Sequence, residues 1–211
     1  GYSPSLGIPS VRQAVAESLN RRFGMNYKME HIFMTSAAAS AIAHALRCVT
    51  VPGDEVLTFA PYFSEYIPYV NKTGAVLKVV PADIKSFQVN FEALDEMMNE
   101  KVMALLINTP NNPSGIVYSE ETIKKLATYL EEKSQEYSHP IYLISDEPYR
   151  EIVFEGVTAP YVAKYYKNTL TCYSFSKSVS LPGERIGYLA IGPECEGEDV
   201  LAEMSGQISR G

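Results

Sequence analysis

The side chain best suited to covalent chemistry in this sequence is a lysine set between serines. Lys177 lies in the stretch "SFSKSVSLPGERIGY", which follows the apolar run "TLTCY" and contains a buried-looking arginine, Arg185. A lysine in such a loop is usually solvated, because lysines are rarely buried. Its neighbours Ser174, Ser176 and Arg185 suggest another role. A desolvated lysine near other cations has a lowered pKa and becomes a nucleophile suited to Schiff-base chemistry.

A carboxylate lies at the end of a second apolar run. Asp146 follows "IYLIS" and opens the stretch "DEPYR". A partly enclosed carboxylate must find a partner or shift its protonation, which makes Asp146 a candidate for the chemistry of a site. The alternative is that Asp146 caps the N-terminus of a helix.

Two further stretches offer an amide and an aromatic ring. "NTPNNPSG" consists of the usual turn residues and predicts a tight turn, or else rigid prolines that hold an asparagine amide at a ligand site. "PYFSEY" places Tyr62, Phe63 and Tyr66 after the apolar run "VLTF". Each of these rings is expected in the core, although one ring at a strand end can serve as a stacking platform.

The stretch "TSAAASAIAHAL" predicts a helix that begins with small residues. This helix must mostly pack in the core, but its first backbone N–H groups and the positive end of its dipole make a ready anion site. It matches neither the dinucleotide fingerprint nor the P-loop. An anion site, an aromatic ring, a carboxylate, amide and phenol donors and a reactive lysine together fit an aromatic, phosphorylated aldehyde cofactor.

Alternating helix-like and strand-like segments must position these groups. Gly24 and Gly74 are expected to end helices, and Asn90 and Ser119 to cap the starts of others. The alternation implies βαβ units and an α/β fold with a mostly parallel, helix-covered sheet. Ligands bind such sheets beyond the carboxyl ends of the strands. The polar clusters in residues 108–115, 146–149 and 174–177 all follow strand-like runs, so we expect them at that edge.

Composition excludes several classes of function. The chain has 211 residues and a formal net charge of −7, whereas nucleic-acid and anionic-membrane partners need clustered Lys and Arg. Small-molecule partners are therefore expected. The three cysteines, Cys48, Cys172 and Cys195, lack a CxxC pair, so they support neither a disulfide framework nor a metal site and favour a reducing, cytoplasmic location. No apolar run approaches the ~20 residues needed to cross a bilayer.

Six motifs, in order, give the chain a resemblance to a known family. They are "YSPSLG", "TSAAASAI", "PGDEV…PYFSEY", "NTPNNPSG", "DEPY" and "SFSKSVSLPGERIGY", and they span nearly the whole chain. In order and approximate spacing they resemble the fold-type I pyridoxal-phosphate (PLP) enzymes, specifically the class I/II aminotransferases of the aspartate aminotransferase superfamily. The resemblance implies a three-layer α/β/α fold, that of the large domain of PLP-dependent transferases.

The resemblance also implies roles around the ring of pyridoxal 5′-phosphate. Lys177 would form the Schiff base with the aldehyde carbon and then move the substrate proton. Asp146 would pair with the pyridine nitrogen and keep it protonated. Asn112 and Tyr149 would hydrogen-bond the phenolate oxygen, and Phe63 would stack on the ring face.

Phosphate-binding residues follow from the same resemblance. Ser174, Arg185 and the backbone N–H groups of Ala38 and Ala39 would hold the phosphate through charge-assisted bonds and the helix dipole. Tyr2 matches a family tyrosine that reaches the phosphate of the neighbouring subunit. A homodimer with shared active sites is therefore implied.

The chain departs from the family pattern in two ways. The phosphate loop usually has glycine where this chain has Ala37, and we expect alanine to take a conventional backbone angle there, with a slightly rearranged loop. Family members also have an N-terminal arm and a C-terminal small domain that carries the arginine for the substrate carboxylate. We therefore expect residues 1–211 to be the PLP-binding large domain, which alone binds cofactor weakly or turns over poorly.

The activity implied is transfer of an amino group from an amino acid to a 2-oxo acid by a ping-pong mechanism. Two alternatives stay open. A PLP-dependent lyase or synthase of the same fold, such as a carbon–sulfur β-lyase, would share the cofactor residues. An aminotransferase-like sensor domain of a transcription regulator would share them without catalysis.

Overall fold

The computed structural model describes residues 4–209 of the chain, and a seven-stranded sheet lies at their centre. Its strands are β1 (Ile32–Thr35), β2 (Glu55–Phe59), β3 (Val76–Val80), β4 (Val102–Asn108), β5 (Tyr142–Asp146), β6 (Thr169–Ser174) and β7 (Gly187–Ile191). Their order across the sheet is β1-β7-β6-β5-β4-β2-β3. Within this sheet β7 is antiparallel to both of its neighbours, whereas the other pairs are parallel. The expectation of a mostly parallel sheet is confirmed.

Helices cover both faces of the sheet. They are α1 (Pro9–Phe23), α2 (Ala37–Val49), α3 (Tyr66–Asn71), α4 (Phe91–Met97), α5 (Glu120–Tyr137), α6 (Phe175–Ser178) and α7 (Glu198–Ile208), with short 3-10 turns at Met29–His31, Val162–Lys164 and Pro182–Glu184. Across the described part of the chain, no helix is both long enough and apolar enough to span a membrane.

Side chains that alternate in direction along the central strands form a hydrophobic core on each face of the sheet. Leu106 of β4 packs in the core under α2, α3 and α7, whereas its neighbour Leu105 packs in the core under α4 and α5. Helix α1 packs on the same side as α5, over β1 and β7 through Leu19 and Ile32. Because successive strand residues point to opposite faces, a fully apolar strand such as β4 needs helices on both sides. The result is the three-layer α/β/α fold.

The helix boundaries follow local signals in most places. Gly24 closes α1 in the left-handed conformation, and the side chains of Asn90 and Ser119 accept backbone N–H bonds at the starts of α4 and α5. Other helices differ from the sequence-based expectation. Helix α3 ends at Asn71, before the predicted end at Gly74. Helix α7 was not predicted, although a left-handed Gly197 precedes it and acidic residues occupy its first turn.

The start of α2 lies unusually close to β7. Ala37 adopts φ +64°, so our expectation of a conventional backbone angle there is wrong. The reason is packing, because a Cβ built on Gly187 would lie 2.8 Å from the Cα and carbonyl carbon of Ala37. The hydroxyl of Thr35 also donates to the carbonyl oxygen of Ala37 at 2.9 Å. The left-handed angle costs an alanine about 1 kcal/mol, which the surrounding contacts must offset.

We predict that Gly187→Ala destabilises the protein by about 3 kcal/mol, because the new methyl group would overlap backbone atoms of Tyr173 and Ala37. Urea unfolding followed by circular dichroism measures the loss. The matched control is Gly183→Ala, since Gly183 has open space around the added Cβ and no positive φ. Equal stabilities for the two variants would contradict the close approach of α2 to β7.

Candidate active site

A cavity of about 280 Å³ opens where the carboxyl ends of β4, β5 and β6 meet the start of α2. This is the edge of the sheet at which the polar clusters were expected. The sequence-predicted residues that line it are Ala38, Ala39, Phe63, Asn112, Asp146, Tyr149, Ser174, Lys177 and Arg185. Tyr2, also predicted for the site, lies outside the described residues. The structure therefore brings together every described residue of the predicted site.

Asp146 is the buried acid of this cavity. Its residue is 5% exposed at the end of β5, and Oδ2 accepts a 2.7 Å hydrogen bond from the hydroxyl of Tyr66. Oδ1 is also buried but has no hydrogen-bond partner among the described residues. Burial raises the pKa of Asp146 to about 7; the Tyr66 bond opposes this rise and the charge of Glu147 adds to it. The strand is followed by a turn, so Asp146 does not cap a helix.

Tyr66 belongs to the site, although the sequence pattern predicted only a core aromatic ring at this position. It begins α3 and is fully buried, and burial followed by the Asp146 charge raises its pKa well above the ordinary value. The phenol therefore stays protonated and donates to the carboxylate. The available signal was that a buried tyrosine hydroxyl needs a partner. Phe63 meets the Tyr66 ring edge-on at 5.8 Å between centroids and remains half-buried at the cavity.

Asn108 joins the loop after β4 to the end of β5. Its Nδ2 donates to the backbone oxygen of Asp146 at 2.8 Å, and its Oδ1 accepts from the backbone N–H of Asn112 at 2.6 Å. The stretch "NTPNNPSG" therefore forms the predicted turn, and this turn places Asn112 at the cavity. Asn108 was noted only as the start of a polar cluster, and its bridging role depends on β4 and β5 being neighbours.

Lys177 lies at the rim of the cavity on the single turn of α6. Its Nζ is 5.8 Å from the centroid of the Tyr149 ring. We expected a desolvated lysine, but the residue is exposed, on a single helical turn in which no residue is fully buried. Tyr149 is half-buried, and burial followed by the Asp146 charge raises the pKa of its phenol.

The predicted phosphate end combines a helix start with a serine and an arginine. Ser174 is buried, and its Oγ accepts the backbone N–H of Ser176 at 3.1 Å. A hydrogen bond from the N–H of Phe175 to the oxygen of Ile186 holds the end of the following loop beside the end of β6, and Arg185 lines the same cavity. Arg185 is exposed, contrary to its buried appearance in the sequence, and its Nη1 donates to a backbone oxygen within its own turn.

A larger cleft of about 880 Å³ lies elsewhere, between α5 and the segment around residues 163–167. Two of its three lysines, Lys124 and Lys167, form ion pairs. Lys124 pairs with Glu120 at 2.6 Å, and Lys167 lies 3.6 Å from Glu131. We place the candidate active site in the smaller cavity, because the buried acid and the sequence-predicted groups converge there.

The raised pKa of Asp146 predicts a pH-dependent stability of the protein without ligand. The folded chain holds this proton up to about pH 7, whereas the unfolded chain releases it near 3.8. Stability should therefore fall as pH rises through that window, by about 4 kcal/mol. Asp146→Asn, which cannot ionise, should unfold at higher urea than the wild type at pH 8 and at similar urea near pH 4. The exposed Glu96→Gln serves as control, and the same pH dependence in wild type and Asp146→Asn would refute the assignment.

Comparison with known proteins agrees with this geometry. Residues 1–209 match the family model described as "Aminotransferase class I and II". A probable aspartate/prephenate aminotransferase of Aquifex aeolicus is 37% identical over 211 residues, covering 98% of this chain and 52% of that protein. An aromatic-amino-acid aminotransferase of Thermococcus litoralis is 31% identical over 194 residues, covering 90% of this chain and 48% of that protein.

Solved structures show the same relationship. The crystal structure of an aminotransferase from Eubacterium rectale aligns with a TM-score of 0.97 and 48% identity, covering 100% of this chain and 53% of that chain. This chain thus spans about half the length of the curated relatives it matches. The family model nonetheless covers nearly all of it, and the chain belongs to the class I and II aminotransferase family.

Proposed function

We propose that this chain is the cofactor-binding domain, residues 1–211, of a PLP-dependent aminotransferase that moves an amino group from an amino acid to a 2-oxo acid. The family to which the chain belongs consists of PLP enzymes, and its relatives named above are aminotransferases. The observation that carries the proposal is the Asp146 carboxylate, which is buried with Oδ1 unpartnered among the described residues in a cavity that also contains Lys177.

The described residues fit this cofactor at both ends. A buried acceptor without a donor is costly, and a protonated ring nitrogen would supply the donor that Oδ1 lacks. At the other end, the start of α2, Ser174 and Arg185 offer the backbone donors and the cation that suit a phosphate. The cavity volume of about 280 Å³ lies just below the usual range for small-molecule pockets, which begins at about 300 Å³.

Each side chain would then have a definite task. Bound PLP supplies an electron sink for the substrate Cα. A cation at Oδ1 favours the ionised form of Asp146, while Tyr66 holds Oδ2 and so leaves Oδ1 for the cofactor. Lys177 supplies the amine and carries the proton at Nζ, and Tyr149 and Asn112 orient the ring through hydrogen bonds. Phe63 covers one ring face and excludes water from it.

We also propose a class of substrate, an oligomeric state and a cellular location. The relatives act, by their names, on aspartate, prephenate and aromatic amino acids, so we propose amino acid and 2-oxo acid substrates without choosing among them. Tyr2 supports a homodimer with shared active sites only through its family match. The three cysteines are free and buried, which supports a reducing, cytoplasmic location.

Borohydride trapping tests the role of Lys177. After addition of pyridoxal phosphate and reduction, we expect mass spectrometry to find the pyridoxyl group on Lys177, and Lys177→Arg should retain none. Lys72→Arg, at an exposed lysine of the same chain, should behave as the wild type. Labelling of Lys177→Arg to the wild-type extent would show that another amine reacts and would overturn the assignment.

The reaction type is tested by the need for an acceptor. In the full-length protein, we expect each oxo acid formed from the amino donor to require one equivalent of acceptor oxo acid after the first turnover. Chromatography of both oxo acids over time measures this ratio. Continued product formation without an acceptor would indicate a lyase and contradict the transaminase proposal.

A further inference from the structure

Two residues of "DEPYR" form a buried ion pair behind the cavity. Asp146 and Tyr149 line the cavity, whereas Glu147 is 0% exposed and Arg150 is 6% exposed. The Nη1 of Arg150 donates to Oε2 of Glu147 at 2.8 Å. In the turn after β5, Asp146 and Tyr149 therefore face the cavity, whereas the ion pair of Glu147 and Arg150 lies in the protein interior.

Both members of this ion pair also form hydrogen bonds with neighbouring strands. Oε1 of Glu147 accepts from the hydroxyl of Ser145 at 2.8 Å, and Nη2 of Arg150 donates to the hydroxyl of Tyr188 at 3.1 Å. Removing one partner from such a pair leaves a lone buried charge. The strands β5 and β7 thus hold the pair in one arrangement.

Three aromatic rings surround the guanidinium of Arg150. Its central carbon lies 4.6 Å from the ring centroid of Tyr173, 5.1 Å from that of Phe23 and 5.3 Å from that of Tyr161. These rings come from β6, α1 and the segment before the second 3-10 turn. A planar guanidinium stacks on aromatic faces in a way that an ammonium does not, so its orientation is set by tertiary contacts.

The backbone of the turn also forms hydrogen bonds. The N–H of Glu147 donates to the backbone oxygen of Cys172 at 2.9 Å. Within the turn, the N–H of Arg150 donates to the oxygen of Glu147 at 3.3 Å, and that of Ile152 donates to the oxygen of Tyr149 at 2.8 Å. A buried ion pair is weak evidence for extra stability, since apolar residues of similar volume often do as well. What the pair adds over apolar packing is a fixed distance and direction between positions 147 and 150.

We propose that Glu147 and Arg150 are positioning residues, whose buried ion pair holds the turn after β5 so that Asp146 and Tyr149 point into one cavity. The roles of Asp146 and Tyr149 rest on the proposed function, but the geometry of the turn does not. Neither Glu147 nor Arg150 lines the cavity, so they act through their neighbours.

Hydrogen exchange and cofactor affinity in the same variants test this proposal. In Glu147→Gln and Arg150→Met, we expect faster exchange at the amides of Glu147 and Arg150, with a larger increase there than at Leu105 and other central strand amides. Pyridoxal phosphate affinity should fall about tenfold, as is common when a supporting partner of a binding group is removed. Arg150→Lys, which keeps the charge, should recover part of the loss.

Glu151→Gln is the matched control, because Glu151 also faces Arg150, at 3.4 Å from Nε, but is exposed. It should leave both readouts unchanged. If the single variants do not fold, the double variant Glu147→Gln with Arg150→Met leaves no lone buried charge, and Tyr188→Phe removes only one hydrogen bond. Both should show the same selective change in the turn, smaller in Tyr188→Phe.

The outcomes separate the two proposals. Unchanged turn exchange and unchanged affinity in folded variants overturn the positioning role. An equal increase of exchange in the turn and throughout the sheet also overturns it, because that result indicates only a general loss of stability. A wild-type protein that binds no pyridoxal phosphate overturns the proposed function, whereas the exchange measurements still decide whether the ion pair holds the turn.

Discussion

The enclosed carboxylate of Asp146 is the interaction on which the candidate site depends. A carboxylate at the end of a central strand, shielded from water, must be protonated, paired or hydrogen-bonded. Here one oxygen receives the Tyr66 hydroxyl, and burial moves the pKa of the acid to about 7. A group with these properties responds strongly to a cation brought to its other oxygen, and this response is what the proposed role toward a protonated ring nitrogen requires.

The fold concentrates the remaining groups around this acid. The strands β4, β5 and β6 are parallel neighbours, so their carboxyl ends, and the loops that follow them, meet at one edge. Asn108 links the first two of these loops through its side-chain amide. On the far side of the turn, the Glu147–Arg150 pair is held by groups from four other segments. The acid is thus supported from the cavity side by one set of contacts and from the core side by another.

The predicted phosphate end is built on a strained backbone. Ala37 has a left-handed angle and Gly187 lacks the Cβ that would separate β7 from the start of α2. Close approach of the two elements brings the free N–H groups of the first turn of α2 toward Ser174, which pairs with Gly187 across the sheet. The positive φ of Ala37 and the lack of a Cβ at Gly187 are therefore both linked to the close contact between α2 and β7.

Periodicity and capping predicted most of the strands and helices, although not α7, and the six ordered motifs indicated through the family resemblance which residues line the cavity. Strand and helix positions follow from periodicity and capping, and the polar residues after β4, β5 and β6 must meet because parallel strands end at one edge. Tertiary structure alone decided the partner of Asp146, the angle of Ala37, the exposure of Lys177 and Arg185, and the rings around Arg150. These features arise between residues that are far apart in the chain or from the way whole elements pack. Local patterns specify which segment is a strand and where it ends, but they do not encode which side chain from another segment will face it.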